Sequence, residues 1–330
     1  MIWNGLAIGT RNNYNSSINK YTSFCRGMGV SPWPVKLHIL LEFCCMSVHG
    51  LPLLNLNAVA PSTIRGYISA LRSYHVHHNL PLDVFDNELL HLTLRGISNC
   101  FQKPTRNRLP LGQDILRKIL AVKVANPSGV YHRNYLNFSC AIIVAYAGFL
   151  RLGEITYDKR DLLNFPNFKH RHVLRSDVQF WSDHATLHLR HTKTDRDNKG
   201  VYIRLPRTDN DFCPVAALRR LFSEDPQPHD APLFRFIQQG FPRQTLVQWI
   251  RTYLELAGES KAGYSGHSIR RGATQDAHEM GIPTDDIMAL GRWTSDAVYR
   301  YFNYSGERQL KLRRQVLTRQ LLSKRPRFDV

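Results

Sequence analysis

Residues 102–110, QKPTRNRLP, limit the possible folds more than any other stretch of the chain. Its two prolines remove backbone donors and hold the residues before them extended, so neither a helix nor a paired strand can run through it. Lys103, Arg106 and Arg108 add self-repulsion that keeps the segment open. One helical pattern ends before it and a different pattern begins after it, and 330 residues are enough to bury two cores. The expected organisation is a helical domain over residues 1–102, a linker over 103–110 and a second domain over 111–330.

Within residues 1–102 the apolar positions recur at helical spacing. Tyr14, Ile18, Tyr21 and Phe24 form one stripe, with Thr10 placed to cap its start and Gly27 and Gly29 to end it. Residues 34–48 form a second, more apolar helix ending near Gly50, and residues 88–101 a leucine-rich fourth. The third begins at Ser62 or Thr63 and buries Ile64, Tyr67 or Ile68, Leu71 and Tyr74. Arg65 and Arg72 stand seven residues apart on it, sharing a face with Ser62 and Thr63. That face suits a helix laid along a phosphate backbone, and it equally suits one that meets only water. His75, His77 and His78 follow without a cysteine or carboxylate at ligand spacing, so no metal site is expected.

Beyond the linker, residues 114–124 and 134–150 read as helices. The second contains the longest apolar run, 138–150, which includes Ser139 and is too short to span a bilayer, so a buried core helix is expected. Arg151 lies where this helix emerges, and Glu154 follows. An arginine there either neutralises helix-end carbonyls at a surface or is aimed by a rigid helix into a site. Residues 173–180, 185–194 and 200–206 then alternate as three short antiparallel strands, with 195–200 turning between the second and third. Lys193 falls at the base of that hairpin, where lysines are commonly solvated edge residues. His184, His188 and His191 lie nearby without the cysteines or paired carboxylates of a metal site. Residues 214–222 and 245–257 are amphipathic core helices, and 310–322 a last helix, basic on one side, before the basic KRPR of 324–327. The fold class is mainly α with a small antiparallel β-sheet.

A formal net charge of +18 gives the surface a positive field suited to a polyanion. No long basic amphipathic helix marks a membrane-surface protein, and the polar N-terminal residues are not those of a signal peptide. Cys25, Cys44, Cys45, Cys100, Cys140 and Cys213 show no disulfide or zinc-ribbon spacing; they are expected to be reduced, mostly buried thiols of an intracellular protein.

Residues 263–302, GYSGHSIRRGATQDAHEMGIPTDDIMALGRWTSDAVYRYF, collect groups suited to phosphate chemistry. His267 and Arg270 share a helix face, Trp293 offers an indole donor, and Tyr299 and Tyr301, with Tyr304 just beyond the stretch, supply phenols. Together with Arg151 and Lys193, in this order and at these separations, the set resembles the tyrosine recombinase (phage-integrase) family. SGHSIRRGA, the IM ahead of the glycine, and GRWT resemble Cre-type enzymes; LGRWTSDAVYRYF also resembles recombinases of eukaryotic mobile elements of the Crypton and DIRS kinds. The motifs span about residues 145–302, and the helical N-terminal part is similar in layout to that family's core-binding domain.

The resemblance implies a two-domain DNA clamp that cuts one strand through a 3′-phosphotyrosine, releases a 5′ hydroxyl and reseals, integrating or excising a mobile element without metal or other cofactor. Arg151 and Arg270 would bind the non-bridging phosphate oxygens and Lys193 would protonate the departing 5′ oxygen. His267 would bond the phosphate and manage the tyrosine proton, Trp293 would position and pack, and Glu154 would orient the basic side chains. The Cre spacing of nine residues after the tryptophan lands on Phe302, whereas the mobile-element spacing of eight selects Tyr301, with Tyr299 in reserve. One residue turns a helical side chain by roughly 100°, so only one phenol can face the phosphate. Arg65, Arg72, Lys103, Arg106 and Arg108 are the expected contacts to double-stranded DNA. A homo-oligomer, a tetramer on two DNA sites, is the expected assembly, with no membrane partner and a nuclear location in a eukaryote. Two neighbouring readings share this logic: a domesticated DNA-binding protein that no longer reacts, and a monomeric type IB topoisomerase-like enzyme.

Overall fold

The computed structural model describes residues 5–52, 57–101, 108–123, 129–192, 195, 199–302, 310, 313, 314 and 317. The chain divides into two compact units, Met1–Thr105 and Arg106–Val330. Residues 102–107, with Lys103 and Arg106, lie outside the described residues, as do Lys193, Tyr304, most of the expected last helix and the KRPR cluster.

In the first unit, α1 (Ile8–Gly27), α2 (Leu37–His49), α3 (Pro61–His78) and α4 (Glu88–Cys100) are joined by a 3-10 turn at Asp83–Phe85 ahead of α4. Their apolar stripes meet in one core that includes Tyr21, Phe24, Phe43, Ile64, Leu71 and Leu90. Thr10 does not cap α1, because the helix already starts at Ile8 behind Ala7. α3 also begins early, at Pro61, whose fixed φ and missing N–H suit the first helical position.

Tyr74 is half-buried and stacks on Trp33, their centroids 3.8 Å apart, while His75 is fully buried. Its Nδ1 donates to Pro81 O at 2.5 Å and its Nε2 accepts from Val35 N–H at 3.2 Å, a pairing that only the neutral ring can make. Burial holds this imidazole below its ordinary pKa of 6.5, against the opposing pull of the Pro81 carbonyl. The unfolded chain therefore binds a proton here that the folded chain resists, so the His75 contribution is complete above pH 6.5 and declines as pH falls below it. Thermal melting from about pH 7.5 to about pH 5 should show that decline. His75→Gln, whose amide can donate and accept without titrating, should flatten it.

The second unit is organised on α6 (Gly129–Ala147), which buries Leu136, Phe138, Ile142 and Val144. Around it stand α5 (Gln113–Ala121), α9 (Pro214–Glu224), α10 (Arg243–Leu256) and α11 (Ser268–Glu279), sharing one core. Between α6 and α9 run α7 (Leu152–Ile155), β1 (Tyr157–Asp158), α8 (Phe165–Arg171) and the strands β2 (Val178–Phe180), β3 (His184–Leu189) and β4 (Val201–Pro206). The last three form an antiparallel sheet in the order β2-β3-β4, and β1 pairs with β5 (Gly240–Phe241). On β3, Ala185, Leu187 and Leu189 face the core opposite Leu205, Ile203 and Val201. α12 (Thr284–Gly291) and a 3-10 turn, Asp296–Tyr301, follow α11.

β2 is shorter than the alternation over 173–180 suggests. Arg175 is drawn instead into a buried polar knot, in which Asp225 also accepts from Arg235 Nη2 at 2.5 Å and from Asn137 Nδ2 at 3.0 Å. Cys25, Cys44, Cys140 and Cys213 are buried thiols, whereas Cys45 and Cys100 are exposed. Among the described residues no helix is long and apolar enough to cross a membrane.

Candidate active site

Two helix ends meet in the second unit, and both close on a left-handed residue that is not glycine. At the end of α6, Phe149 has φ 49°, its N–H bonds Tyr146 O at 3.1 Å, and Leu150 N–H bonds Ala145 O at 2.8 Å. At the end of α12, Arg292 has φ 57°, its N–H bonds Ala289 O at 3.1 Å, and Trp293 N–H bonds Met288 O at 2.9 Å. Both are Schellman closures, where glycine is usual because a side chain in this conformation costs roughly 1–2 kcal/mol. The helix expected over 134–150 stops at Ala147, and Arg151, beyond the closing turn, is the N-cap of α7.

Arg270, on the first turn of α11, ties the two ends together. It is 1% exposed; Nη1 donates to Phe149 O at 2.6 Å and Nη2 donates to Gly291 O. The carbonyls at a helix C-terminus carry the negative end of its dipole, which offsets the cost of burying a cation. The guanidinium also lies over the Trp293 ring, Cζ 4.0 Å from the centroid. Gly291 makes room for this: a Cβ there would fall 1.5 Å from the tryptophan ring. Burial first, then the charges of Arg151 and Arg292, push Arg270 down to about 10, so it stays charged at neutral pH.

Glu154 is the carboxylate of this cluster. Its Oε1 accepts from Arg151 Nη1 at 2.9 Å, and its Oε2 accepts from the Arg151 backbone N–H and from Arg292 Nη2, each at 2.8 Å. Arg292 Nη1 reaches Gly148 O at 3.1 Å. His267, at the N-cap of α11, is held below its ordinary pKa by burial and then by the charges of Arg243, Arg108, Arg270 and Arg151. It is neutral at pH 7 and able to take a proton. Gly266 admits Arg243 beside it, since a Cβ at 266 would lie 2.4 Å from Arg243 Nε.

The 3-10 winding of Asp296–Tyr301 separates the two phenols. With three residues per turn, Tyr301 falls one turn after the buried Val298, whereas Tyr299 is rotated away. Tyr301 meets Trp293 with centroids 5.3 Å apart and planes at 64°, against the same ring that lies under the Arg270 guanidinium. Tyr299 is 53% exposed and packs edge-on against Phe302. Phe302 itself is buried against His278, their centroids 3.9 Å apart, so position 302 belongs to a core. Arg271 lies below the turn: it donates to Arg108 O at 2.6 Å and to Arg300 O, with Cζ 5.8 Å from the Tyr301 centroid.

Arg151, Glu154, His267, Arg270, Trp293 and Tyr301 are thus brought together, and Arg108 stands close to His267. Arg65 and Arg72 belong to the first unit, exposed on α3, where Arg65 Nη2 donates to Ser98 Oγ at 3.2 Å. The sequence reading missed Arg243, Arg271 and Arg292. The available signal was Arg292 itself, an arginine at the end of a helical pattern where glycine is usual.

No protein-family model matches the chain. It is 27% identical over 139 residues to an integrase/recombinase XerD homolog of Selenomonas ruminantium, across 39% of this chain and 40% of that protein. The match therefore spans well under half of the relative's length. Among solved structures, the chain is similar to a lambda integrase dimer bound to a COC′ core site, with TM-score 0.55 and 15% identity over 92% of this chain and 91% of that one. It is also similar to the Tn1549 transposon integrase in complex with transposon right-end DNA, with TM-score 0.53 and 16% identity over 94% and 92%. The fold is that of these two integrases, mostly helical with small antiparallel sheets.

Proposed function

We propose that the chain is a site-specific DNA recombinase that cuts and rejoins strands through a 3′-phosphotyrosine, serving a mobile element of the Crypton or DIRS kind. The observation that carries this reading is the meeting of Arg151, Arg270 and Tyr301 around Trp293 and Glu154. Among the described residues of that cluster, the guanidiniums of Arg151, Arg270 and Arg292 outnumber the single carboxylate, an imbalance suited to an anion.

The Tyr301 oxygen attacks phosphorus, the bond from phosphorus to the 5′ oxygen breaks, and the phosphate remains esterified to tyrosine on its 3′ side. Negative charge building on the non-bridging oxygens is met by Arg151 and Arg270, whose positions Glu154 and the two helix ends have already set. Neutral His267 receives the phenol proton, and Lys193 is assigned the proton delivered to the leaving oxygen. Trp293 cannot move a proton; its ring positions Arg270 and Tyr301. Attack by a 5′ hydroxyl of another strand reverses the chemistry and reseals the DNA. None of these steps calls on a metal or cofactor.

The same proposal assigns residues 1–102 to DNA binding, 103–110 to a linker and 111–330 to catalysis. Arg65, Arg72, Lys103, Arg106 and Arg108 contact duplex phosphates, a tetramer on two sites is the working assembly, and the nucleus is its place in a eukaryote. Incubation with nicked suicide duplexes drawn from a library of element ends should yield a denaturation-resistant protein–DNA adduct that EDTA does not suppress. Tight binding without adduct would favour the domesticated reading. Supercoil relaxation by a monomer, without strand exchange, would favour the topoisomerase-like one.

A further inference from the structure

Resting on the recombinase reading, we propose that Arg292 is a positioning residue that locks the two halves of the site to each other. One half is the α6–α7 turn carrying Arg151 and Glu154; the other is the end of α12, from which Trp293 and the tyrosine turn depart.

Arg292 occupies a backbone conformation that disfavours any side chain, yet the position holds a long cationic one. Strain of this kind persists where the surroundings compensate it, and here they do so from a single direction. Nη1 donates to Gly148 O at 3.1 Å, and Nη2 donates to Phe149 O at 3.5 Å and to Glu154 Oε2 at 2.8 Å. All three acceptors lie in the segment that presents Arg151, and the Arg292 side chain is 12% exposed. Phe149, the other left-handed residue, offers its carbonyl to Arg270 as well. Any slip between the two helix ends would therefore break contacts of Arg292, detach Glu154 Oε2 and shift both carbonyls that hold Arg270. Because Trp293 is the next residue, the same slip would move the ring over Arg270.

In this arrangement Arg292 acts through Glu154 on Arg151, and through the backbone on Trp293 and Tyr301, without touching the reacting phosphate. A planar fork can serve three acceptors spread over two nitrogens; an ammonium on a flexible stem cannot.

The test pairs kinetics with hydrogen–deuterium exchange on full-length protein, using Arg292→Gln and Arg292→Lys. Arg292→Gln should slow adduct formation about a hundredfold, the scale of an ångström-sized misplacement. Its duplex affinity should stay within about threefold, since many basic residues share the phosphate contacts. Arg292→Lys should recover only part of the rate. In both variants exchange should accelerate in residues 148–155 and 291–301, while the α6 core around residues 138–145 keeps its protection. Wild-type adduct rates in Arg292→Gln, or unchanged exchange at 148–155, would overturn the proposal. So would loss of protection across α6 in both variants, which would make Arg292 a residue of the fold alone. Failure of the wild type to form any adduct would sink the recombinase reading, and the exchange pattern would still decide the lock.

Discussion

Arg270→Ala is expected to slow covalent cleavage of a suicide duplex by a factor on the order of 10³, while duplex affinity falls by less than about tenfold. The asymmetry follows from burial. A side chain only 1% exposed adds little to the general field that draws DNA in, yet it places a fixed cation beside Trp293 and Tyr301. Its loss also strips partners from Phe149 O and Gly291 O. Gly291 O left unpaired costs about 1–3 kcal/mol, while Phe149 O keeps the longer bond from Arg292 Nη2, and the loss is partly offset because Arg151 and Arg292 no longer repel a third cation. Melting should therefore fall as well, and the rate is read at a temperature where the variant remains folded. Arg270→Lys should not rescue cleavage, because one ammonium cannot hold carbonyls on two helix ends and also lie over the tryptophan ring. Single-turnover cleavage beside mobility-shift titration separates these effects.

Tyr301→Phe is expected to bind duplex DNA like the wild type and to form no adduct. The substitution keeps the ring against Trp293, 5.3 Å between centroids, and removes only the oxygen. Tyr299→Phe, at a half-exposed position packed on Phe302, should cleave within about a fewfold of the wild-type rate, as surface changes usually allow.

Much of this candidate site was legible because the proposed chemistry depends on residue type and order. Arg151, His267, Arg270, Trp293 and a following tyrosine can be read along the chain, and the stripe from Tyr14 to Phe24 and the apolar run of α6 announce their helices. Helix ends were less legible. Thr10 looks like a cap, but nothing local forbids the helix from starting at Ile8. Phe149 and Arg292 adopt left-handed backbone that their own side chains disfavour, and the bonds that compensate come from residues far away in sequence. Arg175 finds Asp225 fifty residues downstream, a pairing that no periodicity reveals. The proposed nucleophile falls between these cases. Spacing narrowed it to Tyr301 or Tyr299, and the 3-10 winding after Ser295, rather than an α-helical one, sets which phenol faces Trp293.

Protease digestion of the covalent protein–DNA complex, followed by mass spectrometry of the nucleotide-bearing peptide, identifies the residue that carries the phosphate. The phosphate should be found on Tyr301, attached through the 3′ side of the cleaved strand. A phosphate on Tyr299 or Tyr304, or cleavage that leaves no tyrosine modified, would contradict the assignment of the site.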